Sequence, residues 1–307
     1  MQDDILLNTR LNTFVVLCGT RNYTKAANIL CITQPAVTHH IKWLQENLNV
    51  ELFYYDHFHN LCLTDEGTKL LYYAQKIKAD TSKLIDELQK GIADNTSLKI
   101  GTQLAPGETF IPKLIAKYVN AYPHTQISHF LGESDDLIQQ LEAGDIDICI
   151  ADIPCDSNHF YVRKLFNART VCVCSNHHPL ANQTVDFESL YQYRLITRSN
   201  DTYYHRNLAH TLQSNQQSIR NFKHTILIGT LSATKRLLLE NVGISFLYDF
   251  AIKEELEDGS LSVISIRNFN NLQNSIDMIW LKDSMFSDRY MDFLHLCQDH
   301  IASLGFH

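Results

Sequence analysis

Residues 5–63 contain apolar positions at helical spacing, separated by short polar breaks. One apolar-periodic segment runs from Asn12 to Leu17, and a second follows Thr24, whose side chain suits a helix N-cap. The second segment places three apolar residues on its inner face: Ala26, Ala27 and Leu30. The pattern predicts two short helices packed on a common core.

A third helix is predicted after the break at Cys31-Ile32. Thr33 is its expected N-cap, and Pro35 lies in the first turn, where a missing backbone N–H costs nothing. The helix has one apolar stripe, made of Val37, Ile41 and Leu44. Its opposite face is polar and consists of Gln34, Thr38, His39 and Lys42. Two short helices joined by a tight break are typical of a helix-turn-helix.

The next elements are a small hairpin and a long helix. Leu52-Phe53 and Leu61–Leu63 predict the two strands of a wing, with Tyr54–Asn60 as its tip. Thr64 is the expected N-cap of the long helix, which Gly91 should end before a polar hinge at Asp94–Ser97. The helix has a heptad stripe of Leu70, Ala74, Ile77, Thr81, Leu84 and Leu88. Such a seam needs a partner, either a second copy of the chain or the rest of its own domain.

From Leu98 onward the pattern alternates between strand and helix. The first predicted elements are Leu98–Thr102, Phe110–Tyr122, Gln126–Leu131, Asp135–Ala143 and Ile146–Ala151. This βαβαβ order predicts right-handed crossovers and a mostly parallel sheet. Later predicted strands are Thr170–Cys174, Leu195–Thr197, Ile244–Leu247 and Asp277–Leu281. A second α/β unit is therefore expected inside the first, with ligands bound at the carboxyl ends of strands.

Composition narrows the possible classes of protein. The 307 residues have a net charge of −8, so a nucleic-acid footprint must be local. The N-terminal residues lack the basic-then-apolar order of a secretory signal, and no apolar run approaches the roughly 20 residues of a membrane span, so a cytoplasmic protein is expected. The eight cysteines and fifteen histidines form no CxxC or HExxH motif. Cys172 and Cys174 share a strand face, as small buried hydrophobes or as a redox or metal pair.

The third helix has the size and chemistry of a DNA-reading element. A major groove about 12 Å wide admits one helix, with its first turns against the base edges. Gln34 can bond bidentately to adenine, Thr38 can contact a thymine methyl or a phosphate, and Lys42 can reach phosphate.

At these residues the chain resembles the LysR-type transcriptional regulators. In the N-terminal part the resemblance rests on Leu11–Phe14, Asn22–Ala27, Thr33–Thr38, Leu52-Phe53 and Leu63–Gly67. It continues through Leu98–Gly101, Ile111-Pro112, Tyr122-Pro123, Gly144–Asp147, His178–Leu180 and Gly243-Ile244. These landmarks extend over nearly the whole chain.

The resemblance implies an α+β winged helix-turn-helix at residues 1–64 and a dimerising linker helix at 65–93. It also implies an α/β effector domain at 94–307, made of two Rossmann-like subdomains as in periplasmic binding proteins. Subdomain I would span about 96–165 and 268–307, and subdomain II about 166–267. The implied partners are double-stranded promoter DNA, a small-molecule effector, one or three further copies of the chain (homodimer or homotetramer) and RNA polymerase. No cofactor, metal, catalytic residue or membrane is implied.

Site residues follow by position from the same resemblance. The predicted DNA-binding set is Thr24, Thr33, Gln34, Pro35, Thr38, His39, His40 and Lys42. The predicted effector-binding set is Thr102, Gln103, Leu104, Ser134, Thr197, Arg198 and Tyr248. The predicted dimerisation set is Leu70, Ala74, Ile77, Leu84 and Leu88. Helix starts near Pro106 and Ser134, together with Arg198, could hold an anionic effector, although Arg198 is equally compatible with a plain surface role.

The chain departs from the family pattern in its DNA-binding part. Gln45 and Tyr55 stand where the family usually has glutamate and arginine, an exchange that suggests a lost ion pair between helix and wing. Residues 1–65 contain four basic and six acidic side chains, which sum to −2. Because phosphate neutralisation normally supplies much of the affinity for DNA, weak binding per subunit is expected. Protonated histidines could supply the missing positive charge as the pH falls, or they could be merely tolerated polar residues. The histidines concerned are His39, His40, His57 and His59.

Three alternative functions stay open. A small-molecule binding protein without a DNA role would share the effector half but not the winged helix. An enzyme is disfavoured because no nucleophile–base pair, Walker loop, metal cluster or GxGxxG motif stands out. A DNA-binding-impaired partner in heteromers is suggested by the depleted basic residues.

Overall fold

The computed structural model describes residues 9–90, 97–270 and 273–303, without the side chains of residues 82, 83, 86–90 and 303. Backbone contacts divide the chain into two compact units, one of residues 1–91 with 142–145 and one of 92–141 with 146–307. Of the predicted hinge Asp94–Ser97, residues 94–96 lie outside the described residues, as does the predicted helix end at Gly91; Ser97 is the first residue of a strand and not part of a hinge. The predicted domain boundaries stay predictions.

The described residues of the first unit form four helices and one hairpin. They are α1 (Thr9–Thr20), α2 (Tyr23–Leu30), α3 (Gln34–Leu48), β1 (Phe53–Tyr55), β2 (Leu61–Leu63) and α4 (Asp65–Lys90). Phe14, Leu17, Val37 and Leu44 are fully buried where the first three helices meet, so the predicted apolar stripe of α3 is confirmed. Helices α2 and α3 are separated by Cys31, which takes the left-handed conformation at φ 53°. The helix-turn-helix expected from periodicity is therefore present.

The helix caps confirm one prediction and correct another. Thr33 Oγ1 accepts a hydrogen bond from Ala36 N at 3.3 Å, as expected for the N-cap of α3. The prediction that Thr24 caps α2 is wrong, because Asn22 Oδ1 accepts the Lys25 N–H at 2.9 Å and the helix begins at Tyr23. Both residue types are good caps, and the extended backbone of Asn22 decides between them.

The wing is a tight antiparallel hairpin with Phe53 opposite Leu63. Its tip is shorter than predicted, because Tyr54 and Tyr55 pair within β1. The Asp56 carboxylate organises the tip by accepting the backbone N–H groups of Phe58 and Asn60, each at 2.8 Å. Phe58 at the tip is 85% exposed.

The long helix α4 starts at its predicted cap, where Thr64 Oγ1 accepts Gly67 N at 2.9 Å. Burial of the side chains differs along its heptad stripe. Ala74 is buried and Leu70 partly buried in the core of the first three helices, whereas Leu84 is 41% exposed. The side chain of Leu88 lies outside the described residues. The first turns of α4 therefore belong to the packing of their own unit.

The second unit is built on one mixed sheet flanked by helices. Its strands are β3 (Ser97–Thr102), β4 (Gln126–Leu131), β5 (Ile148–Ala151), β6 (Phe160–Ser175), β7 (Thr184–Val185), β8 (Leu195–Thr197), β9 (Thr225–Leu227), β10 (Ile244–Tyr248), β11 (Leu261–Ile266) and β12 (Gln273–Leu281). Its α-helices are α5 (Leu104–Glu108), α6 (Ile111–Ala121), α7 (Ser134–Ala143), α8 (Tyr203–Ser214), α9 (Leu231–Leu239), α10 (Lys253–Glu257) and α11 (Ser287–Ser303). Short 3₁₀ turns occupy Phe187–Gln192, Ile219–Asn221 and Asp249–Ile252.

Two parallel groups of strands are joined by antiparallel ones. The hydrogen-bonded order is β4-β3-β5-β12-β6-β10-β8-β9, with β11 paired to β6 and β7. The predicted parallel βαβαβ arrangement is confirmed for β3, β4 and β5. The sheet as a whole is mixed rather than mostly parallel, because β12 and β6 both run antiparallel to their neighbours.

The sixteen-residue strand β6 connects the two groups. Its first part pairs with β12 as far as Arg169, and its second part pairs with β10 from Thr170 onward. The chain returns to the first group through β12, which lies between β5 and β6 as the prediction of a return near Asp277 requires. Cys172 and Cys174 lie buried together against Phe187 and Phe246, as expected for small buried hydrophobes. No helix among the described residues is long and apolar enough to cross a membrane.

Candidate functional sites

The exposed edge of α3 contains most of the predicted DNA-binding residues. Thr33, Gln34, Pro35, Thr38, His39 and Lys42 are all exposed. Gln34 Nε2 donates to Thr38 Oγ1 at 2.9 Å, so the two side chains form one polar surface on the first turns of the helix. Thr24 is exposed on α2, in a different helix from this surface.

His40 differs from its neighbour His39. Its Nδ1 lies 2.9 Å from Thr13 Oγ1 of α1, and the ring is partly buried. Burial, together with the charges of Arg10 and His39, lowers the pKa of His40. The predicted role of His40 in DNA contact is therefore weaker than that of His39, which is exposed.

Two basic side chains of the first unit, Lys42 and Arg10, make local contacts. The Lys42 ammonium lies 3.7 Å from Glu46 on the next turn of α3, an exposed pair that a phosphate could readily replace. The Arg10 guanidinium stacks 4.2 Å above the ring of Trp43.

The proposed helix-to-wing ion pair has a neutral counterpart in the structure. Gln45 Oε1 accepts the backbone N–H of Leu52 at 2.9 Å, which joins the end of α3 to the start of the wing. A glutamate oxygen could accept the same hydrogen bond, so this contact does not require the missing charge.

The second unit contains a cleft at the carboxyl ends of its strands. Four of the seven predicted effector residues line it: Gln103, Leu104, Arg198 and Tyr248. The other three lie elsewhere. Thr102 is fully buried and hydrogen-bonded to His129, Ser134 accepts a hydrogen bond from Gln103 Nε2, and Thr197 is buried.

The cleft also contains residues that sequence reasoning missed. They include two carboxylates, Glu133 and Asp152, and two tyrosines, Tyr203 and Tyr204. Glu133 directly precedes α7, and Asp152 directly follows β5, so a search of the residues after each predicted strand could have found Asp152.

Arg198 is already paired. Its Nη2 donates to Glu133 Oε1 at 2.7 Å, and the other oxygen of Glu133 accepts Tyr203 N at 3.2 Å. Outside the lining of the cleft, Glu108 of α5 accepts the N–H of Ser232 in the first turn of α9 at 2.9 Å. Arg198 and the Ser232 N–H, two donors that an anion could use, are thus occupied by the protein's own carboxylates.

Asp152 is buried at 7% exposure and receives only neutral donors. The Tyr248 hydroxyl donates to its Oδ2, and so do Asn274 Nδ2 at 2.9 Å and Asn207 Nδ2 at 3.5 Å. Burial raises the pKa of Asp152, against the opposing effect of these hydrogen bonds. Among the described residues no lysine, arginine or histidine forms an ion pair with it.

A winged helix-turn-helix followed along the chain by an α/β domain with a polar-rimmed apolar cleft defines a ligand-responsive DNA-binding regulator. A family model described as "LysR substrate binding domain" matches residues 93–302, and one described as "Bacterial regulatory helix-turn-helix protein, lysR family" matches residues 9–68. The chain belongs to the LysR family of transcriptional regulators.

Individual relatives are distant but span nearly the whole chain. An uncharacterized HTH-type transcriptional regulator, YxjO of Bacillus subtilis, is 25% identical over 291 residues, 93% of this chain and 96% of the relative. CrgA, a LysR-type regulator from Neisseria meningitidis, superposes with a TM-score of 0.57 at 19% identity, over 96% of this chain and 98% of its own. Full-length LysG from Corynebacterium glutamicum, solved with bound effector Arg, gives a TM-score of 0.62 at 13% identity, over 96% and 97%.

Proposed function

We propose that this LysR-type regulator reads promoter DNA with the exposed edge of α3 and responds to a small molecule in the cleft of its α/β unit. The observation that supports DNA reading is the polar edge of α3. Gln34 and Thr38, linked at 2.9 Å, project from a turn capped by Thr33, while Val37 and Leu44 anchor the same helix in the core. A helix presented in this way can enter a major groove with its first turns against the bases.

The proposal includes the predicted setting of the protein. The chain would act as a homodimer or homotetramer in the cytoplasm, next to promoter DNA and RNA polymerase. Since its relatives are named transcriptional regulators, a regulatory rather than catalytic role is proposed. The exposed Leu84 and Ile85 on α4 support association with a second copy.

A mobility-shift assay with the DNA upstream of the chain's own gene tests the proposal. Gln34→Ala with Thr38→Ala should weaken binding at least about tenfold, since a lost base contact costs about 1–3 kcal/mol. Asn47→Ala, which changes an exposed residue at the far end of α3, is the matched control and should leave binding within about twofold, as expected for a residue without base contacts. A double variant that binds as well as the control contradicts the proposed reading surface.

The competing function is a DNA-binding-impaired partner in heteromers, which the charge of −2 over residues 1–65 favours. The same assay separates the two. Absence of any shift by the purified protein, together with a shift when a second regulator is added, supports the heteromeric partner.

A further inference from the structure

We propose that the cleft binds a small organic ligand through a cationic nitrogen, with Asp152 as its counterion. The inference rests on the proposed function, because it assigns a ligand class to the cleft of that function.

Three side chains of the lining, Glu133, Asp152 and Arg198, determine the charge of the cleft. Glu133 and Asp152 are the carboxylates that line it, and Arg198 is the cation, which is paired with Glu133. Carboxylates therefore outnumber the guanidinium, and the field in this enclosed space favours positive charge.

Two donors that could bind an anion, Arg198 and the Ser232 N–H, already bind carboxylates of the protein. A ligand carboxylate aimed at Arg198 would have to displace Glu133 from a 2.7 Å charge-assisted contact. One aimed at the start of α9 would meet Glu108 at 2.9 Å from Ser232 N. Neither donor is available without breaking an existing bond.

Asp152 is a buried carboxylate that lines the cleft. Burying a carboxylate is unfavourable unless a cation or hydrogen bonds compensate. Tyr248, Asn274 and Asn207 supply neutral hydrogen bonds and orient the carboxyl group, yet no described cation neutralises it. A ligand ammonium would supply the absent countercharge and gain from desolvation in the cleft.

The cleft walls suit the rest of such a ligand. Tyr203 also lines the cavity, where burial, and to a lesser degree the charge of Asp152, raise the pKa of its phenol to about 12. Its aromatic face could contact an organic cation. Leu104, Leu231 and Leu247 provide an apolar wall for the ligand body.

Three probes with one shape and different charges test the inference by calorimetry on the full chain: benzylammonium, benzoate and benzyl alcohol. Benzylammonium should bind the wild type at least about tenfold more tightly than benzoate, because an unpaired buried carboxylate attracts one and repels the other. Equal or tighter binding of benzoate, or no benzylammonium binding at millimolar concentration, overturns the inference. This comparison needs no variant.

The variant Asp152→Asn then locates the effect. It should weaken benzylammonium at least about tenfold and leave benzyl alcohol within about twofold, because it removes charge while conserving shape. Asp299→Asn, on the exposed face of α11, removes the same charge elsewhere and should change neither probe. Unchanged benzylammonium binding by Asp152→Asn contradicts the assignment.

Failure of this inference is distinguishable from failure of the proposed function. The mobility shift and its Gln34→Ala, Thr38→Ala variant depend on α3 and not on Asp152. If the protein still shifts DNA but binds benzoate more tightly than benzylammonium, only the proposed ligand class is wrong. If it no longer shifts DNA but prefers benzylammonium, only the proposed DNA reading is wrong.

Discussion

Neighbouring histidines on α3 have different environments. The His39 ring is exposed, whereas His40 contacts Thr13 Oγ1 at 2.9 Å and its pKa is lowered by burial and by the nearby Arg10 and His39. A lowered pKa keeps an imidazole neutral to more acidic pH, so His40 is a poor source of positive charge near neutrality. His39, and His57 and His59 at the exposed wing tip, are the better candidates.

We expect DNA affinity to rise as the pH falls from about 7.5 to 6, because phosphates favour the protonated imidazole. An unperturbed histidine has a pKa of about 6.5, which lies within this range. His39→Gln should flatten part of this rise. His40→Gln is the adjacent control and should retain the wild-type slope. Fluorescence anisotropy at constant ionic strength measures both, and a flat wild-type profile rejects the idea.

Gln45 provides a second prediction at the scale of one residue. Gln45→Ala removes the acceptor for Leu52 N and should lower the unfolding free energy of the DNA-binding unit by about 1 kcal/mol, typical of a lost hydrogen bond. Gln45→Glu retains an acceptor and should cost less. Urea unfolding followed by Trp43 fluorescence in a Trp280→Phe background measures the difference. Equal losses for both variants would show that the hydrogen bond contributes nothing.

At the scale of elements, α4 contributes to two different surfaces. Leu70 and Ala74 pack into the core of α1–α3, so this end of the helix stabilises its own unit. Leu84 and Ile85 further along are 41% and 46% exposed. Apolar side chains on a long helix with this exposure are favourable positions for packing against a second helix.

A charged side chain at the exposed apolar positions of α4, Leu84 and Ile85, should therefore dissociate the oligomer. Leu84→Glu places a carboxylate in the expected seam and should shift the sedimentation coefficient to that of a smaller species, with an association constant reduced at least about tenfold. Lys78→Glu, also exposed on α4, is the control for added negative charge. An unchanged sedimentation profile for Leu84→Glu would place the interface elsewhere.

The local chemistry of these elements was readable in the sequence. The spacing of Val37, Ile41 and Leu44 and the cap at Thr33 depend on neighbours within a few residues, and both predictions are confirmed. The choice of Asn22 over Thr24 as the cap of α2 was not readable, because both are good caps and only the backbone path separates them. The heptad stripe of α4 did not indicate that Ala74 would be buried in the core of its own unit.

At the scale of the whole molecule, partly or fully buried histidines in both units make the free energy of unfolding depend on pH. His40 in the first unit has a lowered pKa, and so do His129, bonded to Thr102 at 2.8 Å, and His178, packed on Tyr193. The unfolded chain binds protons to these groups more readily than the folded chain. Stability is therefore fully present above about pH 6.5 and is lost as the pH falls through that value toward the lower folded pKa values.

We expect the melting temperature to drop by a few degrees between about pH 7.5 and 5.5 for this reason. His129→Gln should reduce the drop, because it removes one of the groups that the unfolded chain protonates preferentially. His124→Gln changes an exposed histidine and should leave the drop unchanged. Differential scanning fluorimetry provides the measurement, and a melting temperature that rises on acidification contradicts the sign.

The sequence by itself determined the succession of elements, the exposed polar edge of α3 and the parallel arrangement of β3, β4 and β5, because periodicity and caps act over a few residues. Only the tertiary structure decided the chemistry of the cleft. Arg198 meets Glu133 across 65 residues and Tyr248 meets Asp152 across 96. Such contacts arise where the return of the chain through β12 and the long strand β6 bring strand ends together. No local pattern shows that Arg198 already has an anion, or that Asp152 lies buried with no ion-pair partner among the residues that the structure describes.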